Sequence, residues 1–224
     1  MKKHILRVIT YGVLAIGVFA LSQLAQAPAL LFLKENGQSP LSVTQNMISL
    51  AIYWAVIIGV FALAHHLKLI KLKEKLSWKK LALFLISGEV AIWVVSFIGV
   101  LISLMMGDDI LSTNQESINK LMTLLPTGLM GTMVLVGAPI LEEVSCRGLI
   151  PRMFSEKWQW LGYVLGAVLF GLAHAPTTLG TAVQYIGMGG ILSLVAFFSK
   201  RLEYSILLHF MHNSLAFALM LSQM

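Results

Sequence analysis

Charge is scarce in this 224-residue sequence. Its 16 Lys and Arg and 10 Asp and Glu make up 12% of the residues, about half the share of a typical soluble domain. With 58% hydrophobic residues and a mean hydropathy of +0.83, that deficit excludes a soluble globular protein and indicates a polytopic membrane protein. Cysteine is nearly missing: Cys146 stands alone, which excludes an internal disulfide and a cysteine-based zinc cluster. Cys146 itself reads as a small buried packing residue. G-x-S-x-G, H-E-x-x-H and a pair of intramembrane aspartates are also absent, so there is no serine elbow, zincin helix or aspartyl site. What is present is apolar length. At roughly 20 apolar residues per span, the chain accommodates an all-α transmembrane bundle of about seven helices, with no room for a separate soluble domain.

The net charge of +6 does not require nucleic acid, because the basic residues are segregated by loop. With a cytoplasmic N-terminus, Lys2, Lys3, Arg7, Lys68, Lys71, Lys73, Lys75, Lys79, Lys80, Arg147, Arg152, Lys157, Lys200 and Arg201 fall inside, and only Lys34 and Lys120 outside. This is the positive-inside pattern. The basic 68–80 loop then reads as a segment facing anionic lipid.

The N-terminus imitates a signal peptide, with Ala25-Gln26-Ala27 as an A-x-A site, but the apolar run continues to Leu33. It is expected to stay as an uncleaved first helix. Further helices are expected over about 42–67, 81–106, 121–147, 158–174, 181–199 and 204–221. Glu89 is an intramembrane carboxylate in the third, beside Ser87-Gly88, where it could snorkel or bond to a neighbour. The polar segment 107–120 is an outer loop with room for a short interfacial helix. Pro139 is expected to kink the fourth helix, and Gly148 and Pro151 to end it. Gly162-x-x-x-Gly166 gives the fifth a small-residue face for close helix approach.

Polar residues least expected in lipid collect in the last part of the chain: Glu142, Glu143, Arg147, His174, His209 and Asn213. Each buried charge costs several kcal/mol unless paired or facing a wet cavity. On a helix, Glu143 and Arg147 stand four apart and can pair, whereas Glu142 points about 100° away and is left free. Glu142 is therefore given the chemistry, and Glu143 with Arg147 the support. His209 and Asn213 share a face, as do Phe170 and His174. A carboxylate can take a proton from water, an imidazole can orient that water, and a histidine with an asparagine can donate to an oxyanion.

Glu142-Glu143-x-x-x-Arg147, Phe170-x-x-x-His174 and His209-x-x-x-Asn213 resemble the three ordered motifs of the CAAX-protease and bacteriocin-processing (Abi) family of intramembrane endopeptidases. The resemblance covers 121–221, a catalytic core within a single membrane domain of 1–224; 1–106 carries additional transmembrane helices and no motif. It implies a catalytic cavity inside the bilayer and hydrolysis of a peptide bond in a membrane-associated peptide or protein. It implies that Glu142 with His174 activates water, that His209 with Asn213 forms the oxyanion site, and that Glu143 and Arg147 hold the site together. A bacterial member, in the plasma membrane, would serve bacteriocin or peptide-signal maturation or self-immunity.

The family's glutamic-type chemistry implies no obligatory cofactor. The alternative is a divalent metal such as zinc, but Glu142, His174 and His209 lie on three helices, no two at the i, i+4 spacing of a zincin. Two other functions compete: a non-enzymatic bacteriocin-immunity or scaffold protein, and a proton-relaying transporter. One geometric obstacle stands. If the fourth helix ends at Arg147, Glu142 lies about 9 Å above its cytoplasmic end, and His174 some 16–24 Å up the next. They meet only if helix five starts late or tilts, or if 148–160 dips into the membrane.

Overall fold

A computed structural model of the chain describes residues 2–37 and 39–223. Among these residues all regular structure is helical: α1 (Lys2–Leu24), α2 (Ala27–Glu35), α3 (Val43–His66), α4 (Trp78–Met106), α5 (Thr113–Leu124), α6 (Thr127–Gly131), α7 (Ala138–Glu143), α8 (Gln159–Ala173), α9 (Leu179–Ser199) and α10 (Leu202–Ser222). A π-helical turn at Thr132–Gly137 joins α6 to α7, a second extends α7 over Val144–Leu149, and 3-10 turns follow at Ile150–Met153 and Glu156–Trp158. Six stretches are long and apolar enough to cross a membrane: His4–Glu35, Val43–His66, Trp78–Met106, Thr127–Met153, Leu179–Ser199 and Leu202–Ser222. With the shorter α8 they form the all-helical bundle of about seven that composition implies. The protein is a multi-pass membrane protein.

Local chemistry sets the boundaries. Ser42 accepts from the Gln45 backbone and Gln45 returns the bond, a capping box that starts α3. Thr178 and Thr181 do the same for α9. Leu125 is extended (φ −99°, ψ 147°), as the residue before Pro126 should be, and separates α5 from the fourth span. The first span is broken at Ala25-Gln26, because Pro28 has no N–H for the Leu24 carbonyl, four residues back, and its ring crowds that carbonyl.

The fourth span is the bundle's centre: 56% of its apolar window is buried, against at most 39% for any other. Gly148 and Pro151 do not end it, contrary to the expectation from sequence. The chain continues through the π turn and a 3-10 turn to Met153. In that turn the Ile150 N–H reaches Ser145 O, five residues back. Pro151 next in line has no N–H for Cys146 O, and that bared carbonyl packs on Gly166 of α8, where a Cβ would collide with it. Gly162 likewise abuts Pro151 and Phe154. The small-residue face of helix five therefore exists to seat α8 on this stretch.

The longer span removes the depth obstacle. From Met153, Glu142 is eleven residues up, about 16 Å; from Gln159, His174 is fifteen residues up, about 22 Å, so the two differ by little more than one helical turn. Arg147, counted above among cytoplasmic loop charges, is instead 2% exposed within the bundle. Other basic residues tie one end together. Arg7 Nε donates to Arg152 O at 2.7 Å, Arg152 Nη1 and Nη2 to Leu67 O and Lys68 O at 2.5 and 2.8 Å, and Arg201 Nη2 to Lys71 O and Glu74 O at 2.9 and 3.0 Å. The 68–80 segment is thus fastened to the bundle by its carbonyls.

Candidate active site

The two adjacent glutamates have different surroundings. Glu143 has a fully buried side chain. Its Oε1 accepts from Arg147 Nη1 at 2.8 Å and from His209 Nδ1 at 3.1 Å, and its Oε2 from Ser205 Oγ. Arg147 is equally occupied: Nε donates to Ser193 Oγ at 3.2 Å, Nη2 to Gly189 O at 2.8 Å, and the guanidinium lies 4.4 Å from the Phe170 ring centroid. Each guanidinium nitrogen and each carboxylate oxygen of the pair has at least one partner, which helps hold a buried ion pair. Neither residue has a side-chain nitrogen or oxygen without a partner.

Glu142 has one. Its side chain is 24% exposed, and its Oε2 is buried with no protein hydrogen-bond partner. It lines a cavity of about 280 Å³ together with His174, His209 and Asn213. The cavity therefore collects the four residues assigned chemistry from sequence, carried on three different stretches of the chain. His209 Nε2 stands 4.0 Å from Glu142 Oε2. Its other nitrogen faces Glu143, an acceptor only, so Nδ1 carries the proton. Glu143 thus fixes the orientation of His209.

His174 terminates α8 and is followed by Ala175 at φ +47°. Its Nδ1 lies 2.7 Å from Phe170 O; a carbonyl only accepts, so Nδ1 is protonated and Nε2 is left free. The ring is held between Phe170 and Tyr185, both at 4.5 Å between centroids. Asn213 is held through a proline. Ala138 N–H reaches Met133 O, five residues back, and the next donor in that register is missing because it is Pro139. The freed Val134 carbonyl accepts from Asn213 Nδ2 at 2.9 Å, which leaves the second amide N–H unused.

A larger, mainly apolar groove of about 620 Å³ runs between α1 and α8 and also ends at Glu142 and His174. Ile16, Leu165 and Leu169 line it and are exposed on the bundle's outer surface. Among the described residues no three His, Cys, Asp or Glu side chains converge as metal ligands would. Sequence reasoning missed Ser193, Ser205 and Tyr185, since a lone hydroxyl in an apolar helix carries no signal until its partner is known. It also missed Tyr53 of α3, which lines the cavity with its ring where a Cβ of Gly137 would lie.

Fold and site together define a membrane-embedded helical protein with a carboxylate–imidazole centre inside the bundle. Residues 124–215 match the family model described as Rce1-like, type II CAAX prenyl endopeptidase Rce1-like. This part, less than half of the chain, is similar to that family, which is consistent with the resemblance of the motifs to the CAAX-protease and bacteriocin-processing group. Among curated proteins the chain is similar to UPF0177 protein YbdI of Lactococcus lactis subsp. lactis (strain IL1403), 33% identical over 105 residues, covering 47% of this chain and 56% of that one. It is also similar to UPF0177 protein YvdC of the same strain, 26% identical over 179 residues, covering 80% of this chain and 64% of that one. In each case the chain therefore spans less than two thirds of the relative's length. No solved structure matches it significantly.

Proposed function

We propose that the protein is an intramembrane endopeptidase that hydrolyses a peptide bond of a membrane-associated peptide or protein with water activated by Glu142. The observation that carries this reading is the contrast between the two glutamates: both oxygens of Glu143 are partnered, whereas Glu142 has no protein hydrogen bond and lines a cavity shared with His174, His209 and Asn213. Water held between Glu142 and His174 Nε2 attacks the scissile carbonyl carbon while Glu142 takes its proton. The oxyanion is met by the spare N–H of Asn213; His209, whose Nδ1 is held by Glu143, joins it only by donating from Nε2, which requires both ring nitrogens to carry a proton. Glu142 then passes the proton to the leaving nitrogen as the C–N bond breaks, giving a carboxylic acid and an amine. No metal is needed in this scheme. The apolar groove between α1 and α8 supports entry of substrate from the lipid side.

The same reading sets the protein in a bacterial plasma membrane with its N-terminus cytoplasmic, at the end where Arg7, Arg152 and Arg201 gather. Its substrate class is a peptide precursor, in bacteriocin or peptide-signal maturation or in self-immunity. The test compares the membrane proteome and secreted peptides of cells carrying wild type and Glu142→Gln. One precursor should accumulate uncleaved with Glu142→Gln. Identical peptide profiles at equal protein level would overturn the reading and favour a binding role.

A further inference from the structure

The oxyanion of the proposed reaction has one donor that needs no change of protonation, the spare N–H of Asn213, because His209 gives its Nδ1 proton to Glu143. Oxyanion sites are commonly built from two. Most other polar groups on the cavity wall are committed elsewhere. His212 faces Glu89 Oε1 with Nδ1 at 3.0 Å, and a carboxylate only accepts, so its second ring nitrogen is left as an acceptor. Tyr185 shares its hydroxyl with Ser112 at 2.8 Å. Gln184 has a spare amide nitrogen, but it stands on α9 against Gly99 of α4, not against the span that holds Asn213.

Tyr53 of α3 is different. It is 3% exposed, with its ring in a cluster that includes Ile57, Met130 and Met133. A buried tyrosine usually gives its hydroxyl a protein partner. Among the described residues this hydroxyl has none, and it is not one of the unpartnered side-chain atoms sealed from water, so it opens on the 280 Å³ cavity that Tyr53 lines. A missing side chain sets its place: the hydroxyl stands 2.7 Å from where a Cβ of Gly137 would be, and only glycine lets the phenol come so close. Gly137 ends the π turn Thr132–Gly137, and the same turn contains Val134, whose carbonyl holds Asn213. One turn of the fourth span thus brings both groups to one cavity. An ordinary phenol carries its proton at neutral pH and can donate it to a hydrogen bond as it stands.

We propose that Tyr53 is a further catalytic residue, whose phenolic O–H donates to the oxyanion beside the spare N–H of Asn213. As water adds to the scissile carbonyl, negative charge gathers on its oxygen; both donors keep their protons, and the charge returns to the carbonyl as the C–N bond breaks. The inference rests on the endopeptidase reading. Its test uses the precursor that accumulates with Glu142→Gln, purified and placed with the protein in liposomes, so that kcat and KM are read separately. Tyr53→Phe keeps the ring against Gly137 and removes only the oxygen. It should accumulate like wild type and keep its KM, while kcat falls about a hundredfold or more, the scale of one oxyanion donor. A tyrosine that only packs would leave both constants at wild-type values, and one that only holds substrate would raise KM with kcat intact. Either result overturns the proposal. The two failures are distinguishable: a precursor cleaved equally by wild type and Tyr53→Phe, but not by Glu142→Gln, removes Tyr53 and leaves the endopeptidase reading standing. No difference between wild type and Glu142→Gln in any peptide removes both.

Discussion

Glu142 and Glu143 differ by one position and in their surroundings, sharing only His209, whose Nδ1 meets Glu143 and whose Nε2 stands 4.0 Å from Glu142. Glu142 has no protein hydrogen bond to lose, so Glu142→Gln should leave accumulation in the membrane unchanged while lowering kcat/KM by about a hundredfold or more, the usual scale for a general base. Both are read from one experiment, by quantifying the protein and its cleavage product. Arg147→Ala acts in the opposite sense. It strands Glu143 in a dry interior, at a cost of about 3–5 kcal/mol, and should reduce membrane accumulation sharply. Normal accumulation with a purely catalytic defect would transfer Arg147 from support to chemistry. Ser205→Ala, which removes one of the donors to Glu143, should cost less, about 1–3 kcal/mol, measured by unfolding in detergent.

Two prolines shape the fourth span by the same device. Each stands one residue beyond the point where a π turn has shifted the hydrogen bonding to five residues, and each leaves a carbonyl bare. Pro139 frees Val134 O for Asn213; Pro151 frees Cys146 O at the contact with Gly166. Pro139→Ala restores an N–H that competes with Asn213 for Val134. The amide then loses its fixed orientation, and kcat should fall by about tenfold to a hundredfold, below the loss of an oxyanion donor itself. A kcat equal to wild type would show that Val134 does not set Asn213. Gly166→Leu tests the seat of α8. The added side chain meets the Cys146 carbonyl and lifts the helix that carries His174, so activity should vanish although every motif residue is intact. Full activity in Gly166→Leu would detach the position of His174 from this contact.

At the scale of the whole molecule, the proposed mechanism needs no ion, so protein stripped with a strong chelator in metal-free detergent should keep its activity; zinc-dependent recovery after loss would reverse this. The membrane class, the helix count and the split between Glu142 and Glu143 were legible in the residues. Scarcity of charge forces the first, apolar run length gives the second, and i, i+4 spacing on a helix decides the third. The motifs marked His174, His209 and Asn213 because isolated polar groups stand out in apolar helices. Other features were not legible. Gly148 and Pro151 are stop signals by local propensity, yet the span runs to Met153 because a π turn needs no N–H from Pro151 to keep its course. Arg147, counted among the cytoplasmic charges, proves buried because α8 and α9 pack on it through Phe170, Gly189 and Ser193. Ser193, Ser205 and the Glu89–His212 pair join residues that are 46 to 123 positions apart, and no local periodicity encodes such meetings. The sequence by itself determined which groups are too polar for lipid; only packing of the helices decided which of them satisfy one another and which, like Glu142, are left facing the cavity.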